Sequence, residues 1–373
     1  MDDTLKQLTA HRRALHRIPE IRFDLPRTRE YILNELSALP RARVKQTEHG
    51  AILCYFDAGK PDSFAFRCDM DALNIAERTG VEFASQNPGK MHACGHDGHM
   101  AIMLCFARYL DGAIERMPRN ALVIFQPAEE NGGGGEFVAK SGALERHGVR
   151  AIFALHGEPG LEIGQMGSRS GAFMARTCEV WAGFTGRAAH VGRASEGIDA
   201  LYAAAQFVLR AYAMESAMPG EEKRLLKFGV LNAGTAQNII SGHARLGGAL
   251  RTYSQRDHEY LSGALRGIAR DLEKETGVKI DLSLNGGYPP VINDAALYAR
   301  ARNALGDIPF VEYGEPLLLG EDFSYYQQVV PGVMLYYGLG NGIPLHSDNF
   351  NFDERALLTG LEAFKRLLQM EEA

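Results

Sequence analysis

Two different orders of strands and helices follow each other along this chain of 373 residues. In the first part, helical spacing over 4–20 and 26–40 leads to β-like runs at 51–56 and 63–69. A helix over about 97–110 and buried strands at 121–126 and 151–157 follow. Strands that alternate with helices predict a mostly parallel sheet. After residue 287 the chain returns to this pattern, and its final helix is predicted to have a cap at Asn351, with Glu354 three residues on.

A second pattern occupies residues 177–286. It predicts a strand, a helix, two strands, a helix and a strand, which is the βαββαβ order of a ferredoxin-like unit. The segment has the length of a typical compact domain. We therefore predict an α/β fold with a mostly parallel, three-layer catalytic domain formed by 1–176 and 287–373. An α+β domain, 177–286, is inserted into it.

Composition excludes several classes of protein. A formal net charge of −6 argues against a broad nucleic-acid surface, and no apolar run approaches the roughly 20 residues of a membrane span. The N-terminus is polar and lacks the apolar centre of a secretion signal. The five cysteines have no framework spacing and fit a reducing cytosol, so we expect a cytoplasmic protein. Cys54, Cys68 and Cys105 are expected to be small core side chains.

The segment MHACGHDGHMA, residues 91–101, carries the strongest chemical signal. Cys94 and His96 lie two residues apart at the approach to a helix N-terminus, where peptide dipoles are expected to favour a thiolate. Thiolate and imidazole are good ligands for zinc-like cations, and His92 and His99 crowd the same turn. A helix start that happens to be rich in histidine is the simpler alternative. Buried histidine and cysteine at this density, however, need partners.

Other ligand-type residues follow predicted strands. Glu129 and Glu130 come directly after ALVIF, at the strand end where α/β sheets place ligand sites, so one can bind a metal while the other handles protons. His156 ends the strand AIFAL, and His346 lies in a loop before the last helix. The glycine run after Glu130 lacks the lysine and Ser/Thr of a P-loop and is expected to be a flexible turn that lets backbone approach the site. Five ligands exceed the needs of one zinc site and suit two metals that share a water. They are Cys94, His96, Glu130, His156 and His346.

On these motifs the chain resembles metallopeptidase family M20. The resemblance is strongest to the amidohydrolase branch, which includes hippurate hydrolases, N-acyl-amino-acid amidohydrolases and N-acetyldiaminopimelate deacetylases. Matching segments run nearly from end to end, and MHACGHDGH followed by QPAEE is a highly specific combination. The other segments are HRIPE, DMDAL, ALHG, GRAAH, NII, LRT, GEDFSYY and PLHSDNF.

The resemblance implies a function. The expected reaction is metal-dependent hydrolysis of the amide bond of an N-acyl amino acid, a small-molecule substrate, with Glu129 as general base. The five ligands would bind two divalent ions per subunit, Zn²⁺ or Mn²⁺, with Ni²⁺ or Co²⁺ also compatible. The inserted domain would act as a lid and as the contact of a homodimer or higher homo-oligomer. His190, Asn238 and Arg251 match positions that contact substrate, and His190 can belong to a neighbouring subunit's site.

Departures from the family pattern leave the substrate open. Asn74 stands where relatives usually carry proline in DMDALPI, and the segment after His190 lacks the usual proline and histidine. Asp69 and Asp71 are equal candidates for orienting a ligand, and Glu321 is a further one.

Three other functions are compatible with the same residues. A dipeptidase or carboxypeptidase-type peptide hydrolase would use the same site on a different substrate. A metal-binding protein without catalysis would be indicated by loss of Glu129 or of a ligand, yet all six residues are present. Cys94 could also be a nucleophile in a Cys–His arrangement.

Overall fold

The computed structural model describes residues 3–219, 223–340 and 342–370. The chain divides into two compact units. The first unit contains the residues up to Phe173, Val291–Glu315 and the residues from Glu321 onward, and the second contains Met174–Pro290 and Pro316–Gly320. The sequence placed the boundaries at 176/177 and 286/287 and did not assign 316–320 to the inserted part. The backbone N–H of Ala175 donates to carbonyl oxygens within 316–320, which ties that segment to the second unit.

The strands and helices are numbered in chain order. The strands are β1 (Arg43–Gln46), β2 (Ile52–Phe56), β3 (Ser63–Asp69), β4 (Asn120–Gln126), β5 (Val149–Glu158), β6 (Met166–Ser168), β7 (Gly171–Met174), β8 (Arg176–Thr185), β9 (Ala189–His190), β10 (Leu225–Ala233), β11 (Ile239–Ile240), β12 (His243–Thr252), β13 (Lys279–Asn285), β14 (Val291–Asn293), β15 (Phe310–Glu312) and β16 (Gly332–Gly338). The α-helices are α1 (Asp3–His16), α2 (Pro26–Ser37), α3 (His96–Ala113), α4 (Gly134–Lys140), α5 (Ala143–Arg146), α6 (Ala200–Ala217), α7 (Gln255–Thr276), α8 (Ala295–Leu305) and α9 (Ala356–Leu368).

The first unit is built on an eight-stranded sheet in the order β1-β2-β4-β3-β5-β16-β6-β15. The central neighbours β4–β3, β3–β5 and β5–β16 are parallel, and so are β6 and β15. Every residue of β3, β4 and β16 is buried, because their nearly continuous apolar runs can be covered on both faces. The predicted α/β fold with a mostly parallel sheet is confirmed.

Helices cover both faces of this sheet. Residues of α1, α2, α3, α8 and α9 share one core cluster with alternate residues of the central strands. Phe66 of β3 lies in that cluster, with its ring centroid 4.8 Å from that of Phe106 on α3 and 5.1 Å from that of Phe364 on α9. The helices α4 and α5 contribute nothing to this cluster and contact β4 and β5 instead. Three layers result.

The second unit has its own antiparallel sheet, in the order β10-β12-β8-β13. Along the chain its main elements run β8, α6, β10, β12, α7, β13, the order that the sequence predicted for this segment. Alternate residues of β8, such as Val180 and Phe184, form a core with the buried faces of α6 and α7. The strands β9 and β11 form a separate two-stranded sheet. No helix of the described segments has both the length and the apolar character that a membrane crossing requires.

The predicted cap of the last helix is wrong. The helix α9 begins at Ala356, and the residue before it, Arg355, makes no side-chain capping bond. The side-chain oxygen of Asn351 instead accepts a hydrogen bond from Arg12. The buried Arg12, which is distant in sequence, therefore binds the side-chain oxygen that the local spacing predicted would cap the helix.

Candidate metal centre

Four segments that are distant in sequence meet at one edge of the first unit's sheet. The parallel strands β4, β3 and β5 are neighbours, so their carboxyl ends point to the same side, where α/β folds place ligand sites. Glu129 and Glu130 follow β4, Asp71 follows β3, and His156 lies near the end of β5. The turn before α3 brings Cys94 and His96 to the same edge.

Cys94 lies at the centre of the cluster. Its Sγ is 3.4 Å from Nε2 of His156, and the ligand atoms of Cys94, His96 and His156 all lie within 4.8 Å of one another. Cys94 also forms a group of the same size with Glu130 and His346, in which Nε2 of His346 is 3.4 Å from a carboxylate oxygen of Glu130. The structure thus brings together all five predicted ligands.

Backbone carbonyls orient two of the histidines. Nδ1 of His96 lies 2.7 Å from the carbonyl oxygen of Asp71, and Nδ1 of His156 lies 2.9 Å from that of Gly157. A carbonyl only accepts, so each Nδ1 carries the proton and each Nε2 presents a lone pair to the cluster. Nε2 of His96 is buried and has no hydrogen-bond partner among the described residues. Imidazoles held in this way are typical metal ligands, so the donor set fits divalent cations.

The other two histidines of the motif have different environments. Nδ1 of His99 donates to Asp69 across 2.7 Å, and its Nε2 accepts the backbone N–H of Gly157 across 3.1 Å. With both nitrogens engaged, His99 supports the strand that carries His156. His92 is buried, and burial lowers its pKa to about 3, so its ring is neutral.

Asp71 holds the turn that carries both glutamates. Its two carboxylate oxygens accept the backbone N–H groups of Glu129 and Glu130, across 2.9 and 3.2 Å. The residue before them, Ala128, has φ 57°, a left-handed conformation that costs an L-residue free energy. Such strain persists where the surrounding contacts over-determine the backbone, as these two hydrogen bonds do here.

The glycine run after Glu130 allows backbone segments to approach closely, as predicted for this turn. A Cβ on Gly134 would lie 1.7 Å from the carbonyl oxygen of Pro127, and one on Gly135 would lie 2.6 Å from that of Asp322. The backbone N–H of Gly135 also donates to the Asp322 carboxylate across 2.8 Å. Glycine is required here because two backbones approach each other without room for a side chain.

A buried arginine stabilises the acidic residues behind this turn. Arg67 of β3 donates to Asp69 across 2.9 Å and to Asp322 across 2.6 Å, and it lies 3.0 Å from Glu321. Its Nε donates to the side-chain oxygen of Gln126 across 2.9 Å. The sequence analysis missed Arg67, although a charged residue inside the apolar run SFAFRCD is a signal of buried partners.

The protein's own groups disfavour charge on the two most reactive side chains. Burial, followed by the carboxylate of Glu321, raises the pKa of Glu129 well above its ordinary value. Burial and the carboxylates of Glu130 and Glu129 likewise raise the pKa of Cys94. The expectation that the helix dipole would favour the Cys94 thiolate is therefore wrong for the protein's own field. Nearby cations would reverse both effects, since they favour the anionic forms.

Two of the other donors, His156 and Glu130, have ionisation states that suit metal binding. Burial lowers the pKa of His156 to about 3, which keeps its imidazole neutral. Burial alone would raise the pKa of Glu130, but the hydrogen bond from His346 and the proximity of His96 outweigh it and lower that pKa. Neutral imidazole and ionised carboxylate are the forms that ligate a cation.

The three predicted substrate contacts belong to the second unit. His190 ends β9, and its Nδ1 accepts the N–H of Gly192 across 3.0 Å. Asn238 lies beside it, because the N–H of Val191 donates to the Asn238 carbonyl oxygen and β9 pairs with β11. Arg251 lies half-buried on β12.

A mostly parallel α/β unit with sulfur, nitrogen and oxygen donors gathered at one edge of its sheet is typical of metal-dependent enzymes. The family model described as peptidase family M20/M25/M40 matches residues 65–370, and the chain belongs to that family. The resemblance seen in the motifs is confirmed.

Relatives and solved structures show which enzymes of this family the chain is similar to. An N-acetyldiaminopimelate deacetylase of Streptococcus uberis is 36% identical over 97% of this chain and 98% of its own. A structure described as an aminohydrolase, from methicillin-resistant Staphylococcus aureus, matches with a TM-score of 0.92 and 28% identity, over 98% of this chain and 97% of that one. A dinuclear metal-binding peptidase of the M20 family from Bacillus subtilis matches with a TM-score of 0.85 and 28% identity, over 99% and 98%. The chain is thus an amidohydrolase-type enzyme.

Proposed function

We propose that this protein removes the acyl group from an N-acyl amino acid by hydrolysis at a site that holds two divalent ions. One observation supports it above all: Cys94, His96, Glu130, His156 and His346 converge, and Glu129 lies within 4.8 Å of two of them without being needed as a sixth ligand. The similar structure from Bacillus subtilis is described as dinuclear. Zn²⁺ suits the thiol and imidazole donors best, while the carboxylate share accommodates Mn²⁺, Ni²⁺ or Co²⁺.

Glu129 is the proposed general base. Bound divalent cations supply a water of lowered pKa and polarise the scissile carbonyl. Glu129 takes the proton of the attacking water and then delivers it to the departing amine. Asp71 holds the Glu129 backbone in place for both transfers, and burial keeps bulk water away from the carboxylate. His190 is proposed to stabilise the oxyanion that develops on the attacked carbonyl.

The proposed substrate carries a free carboxylate on its amino-acid part. Arg251 and Asn238 are proposed to bind that carboxylate, because a guanidinium offers paired donors for it. The 36% identity to a deacetylase makes N-acetyldiaminopimelate the first substrate to test. A dipeptidase or carboxypeptidase-type activity is the second candidate, since only the group beyond the scissile amide differs. Initial rates on N-acetyl amino acids, N-benzoyl amino acids and dipeptides separate the two.

We further propose that the protein forms a homodimer through its second unit. The strand β10 is an edge of that unit's sheet, and it exposes Val230 and Leu231. The helix α6 exposes Leu209, whose side chain is 62% accessible. Exposed apolar groups along an unpaired strand edge favour pairing with another chain.

The Glu129→Gln variant tests the mechanism. It should bind the same amount of metal as the wild type and lose about 10²–10⁴-fold in kcat, because an amide cannot accept the proton. Glu136→Gln is the matched control, since Glu136 lies nearby on α4 and its carboxylate pairs with Lys140. Metal content by elemental analysis and kcat on the best N-acyl substrate are the measurements. Wild-type turnover in Glu129→Gln would contradict the assignment.

A further inference from the structure

Arg12, on the first helix, is a fully buried cation that touches two separate segments of the metal centre. Its Nε lies 3.3 Å from the carboxylate of Asp97, in the first turn of α3. Its Nη1 donates to the carbonyl oxygen of Phe352 across 2.9 Å, and its Nη2 donates to the side-chain oxygen of Asn351 across 2.5 Å. One guanidinium therefore connects the start of α3 with the segment that follows His346.

Asp97 makes the first of these contacts at a critical place. It is the neighbour of His96, and its carboxylate also bonds His16 of α1 across 2.8 Å. Both α1 residues are buried, so contacts with α1 fix the first turn of α3. A charge-assisted hydrogen bond between buried groups is stronger and more directional than a surface ion pair.

The second contact involves the segment 346–352. The guanidinium of Arg12 stacks on the ring of Phe352, 3.8 Å from its centre. A Cβ on Gly98 would lie only 2.8 Å from the Cζ atom of that ring. The segment therefore packs directly on the start of α3. A glycine at this position permits the contact, and Arg12 packs on the same ring.

His346 is the donor that most needs such support. Its side chain is 53% exposed, whereas that of Glu130 is 9% exposed. Its backbone has φ 63°, a strained conformation for an L-residue. The described backbone bonds at its end of the segment include His346 N–H to the carbonyl oxygen of Ala93, across 2.8 Å. The N–H of Arg78 donates to the carbonyl oxygen of Asp348 across 2.7 Å in the middle of the segment, and the Arg12 contacts hold its far end, five to six residues after His346.

We propose that Arg12 is a positioning residue of the metal centre, holding the segment 346–352 on the start of α3 so that His346 stays beside Cys94 and Glu130. The inference rests on the proposed function only for its effect on metal binding. The attachment of the segment is a property of the protein alone. Lysine cannot replace arginine here. The planar guanidinium directs separate N–H groups at Asp97, Asn351 and the Phe352 carbonyl, whereas a single ammonium group cannot reach all three.

Arg13 provides a matched control. It is adjacent, it has the same side chain, and it pairs with Glu354 at 2.8 Å, the carboxylate that Arg12 also approaches at 3.3 Å. Its side chain is 40% exposed. Arg13→Lys therefore makes the same chemical change on the same helix, again with no change in net charge, at a residue with a solvent-exposed side chain.

The test compares Arg12→Lys with Arg13→Lys in the full chain. After treatment with a chelator, hydrogen–deuterium exchange of peptides covering 344–352 should be faster in Arg12→Lys, while exchange in β3 and β4 stays at the wild-type rate. Competition with a chromophoric chelator should show Zn²⁺ bound about 10–100-fold more weakly, the loss typical when an outer partner of a ligand is removed. Activity should return toward the wild-type kcat at saturating Zn²⁺. Arg13→Lys should match the wild type throughout.

A purely structural role predicts a different result. It would raise exchange throughout the first unit and lower kcat at every metal concentration, and either finding overturns the proposal, as does unchanged exchange of 344–352. Asn351→Ala serves if Arg12→Lys does not fold, because it removes one contact and should accelerate the same peptides to a smaller extent. If the wild type binds no ion, the proposed function fails, while the exchange data still decide whether Arg12 holds the segment.

Discussion

Cys94 and Glu129 lie in surroundings that oppose the charges their proposed roles require. Burial and neighbouring carboxylates raise the pKa of both groups, and the fully buried Arg67 already contacts Asp69 and Asp322. A buried anion without a counter-charge is costly, so this set of side chains is stable in its ionised form only beside additional cations. Charge balance therefore supports the proposed metal centre, as donor geometry does.

Replacing Cys94 tests this charge balance. Cys94→Ala removes a donor that belongs to two of the ligand groups, so the bound metal per subunit should fall and the weaker ion should be lost first. The loss of affinity should exceed the roughly 10–100-fold typical of removing an outer partner of a ligand. Cys105→Ala is the control, since Cys105 is a buried cysteine of α3 within the core cluster. Unchanged stoichiometry by elemental analysis in Cys94→Ala would count against thiolate ligation.

His16 gives the protein a pH-dependent contribution to stability. Burial alone would lower its pKa, but the hydrogen bonds to Asp97 and Glu77 outweigh this and raise it to about 9. The folded protein therefore holds this proton more tightly than the unfolded chain, whose histidine has its ordinary pKa of 6.5. The contribution is fully present below pH 6.5 and is lost as the pH rises through about 9.

The free energy of unfolding should accordingly fall between pH 6.5 and pH 9. The expected decrease is up to about 3 kcal/mol in chelator-treated protein, measured by denaturant unfolding at several pH values. His16→Asn should be less stable at pH 6.5 and should lose most of this slope. Equal slopes in the two proteins would show that His16 is not the group responsible.

At the scale of single elements, the sequence predicted those that are long and buried. The apolar runs of β3, β4, β5 and β16 are visible because both of their faces are covered. β1 was missed because its four residues are all exposed, so only its pairing with β2 defines it. The five proposed ligands were predictable from residue type together with their places after strands, at a helix start and in a loop. Arg67 was not assigned, and Asp71 was one of two equal candidates, because their partners come from distant segments.

The start of α4 gives an element-scale prediction. Gly134→Ala should destabilise the protein by more than about 2 kcal/mol and weaken metal binding, because its Cβ would overlap the carbonyl oxygen of Pro127 and displace the turn that carries Glu129. Denaturant unfolding and Zn²⁺ competition measure the two effects. Gly112→Ala in α3 is the matched control: nothing lies within 4 Å of its Cβ, so it should be neutral or stabilise by up to about 1 kcal/mol. Similar stability in the two variants would contradict the close approach.

At the scale of the whole molecule, the sequence predicted the order of the strands and helices better than the division of the chain into two units. The βαββαβ order of the second unit is visible because each of its elements has its own periodicity. Residues 316–320 lie far along the chain from the rest of that unit, and backbone pairing with Met174 and Ala175 assigns them to it. Pairing over about 140 residues has no local signature. Subunit association likewise cannot be predicted from the sequence pattern, because neither the periodicity nor the spacing of residues depends on it.

The proposed dimer gives the prediction at this scale. In the described residues, β10 and β13 are the two edge strands of the second unit's sheet. The strand β10 presents the apolar side chains of Val230 (39% exposed) and Leu231 (43%), whereas β13 carries Lys279 and Asp281 at exposed positions. A lysine on an edge strand opposes pairing, because its charge would be buried against the partner's strand.

Leu231→Lys should therefore turn the wild-type dimer into a monomer in sedimentation equilibrium, at protein concentrations where the wild type is fully associated. Asp281→Lys, a charge change at the opposite edge, should leave the dimer intact. Dissociation by Asp281→Lys, with Leu231→Lys still dimeric, would move the interface to β13, and a monomeric wild type would remove the dimer from the proposal.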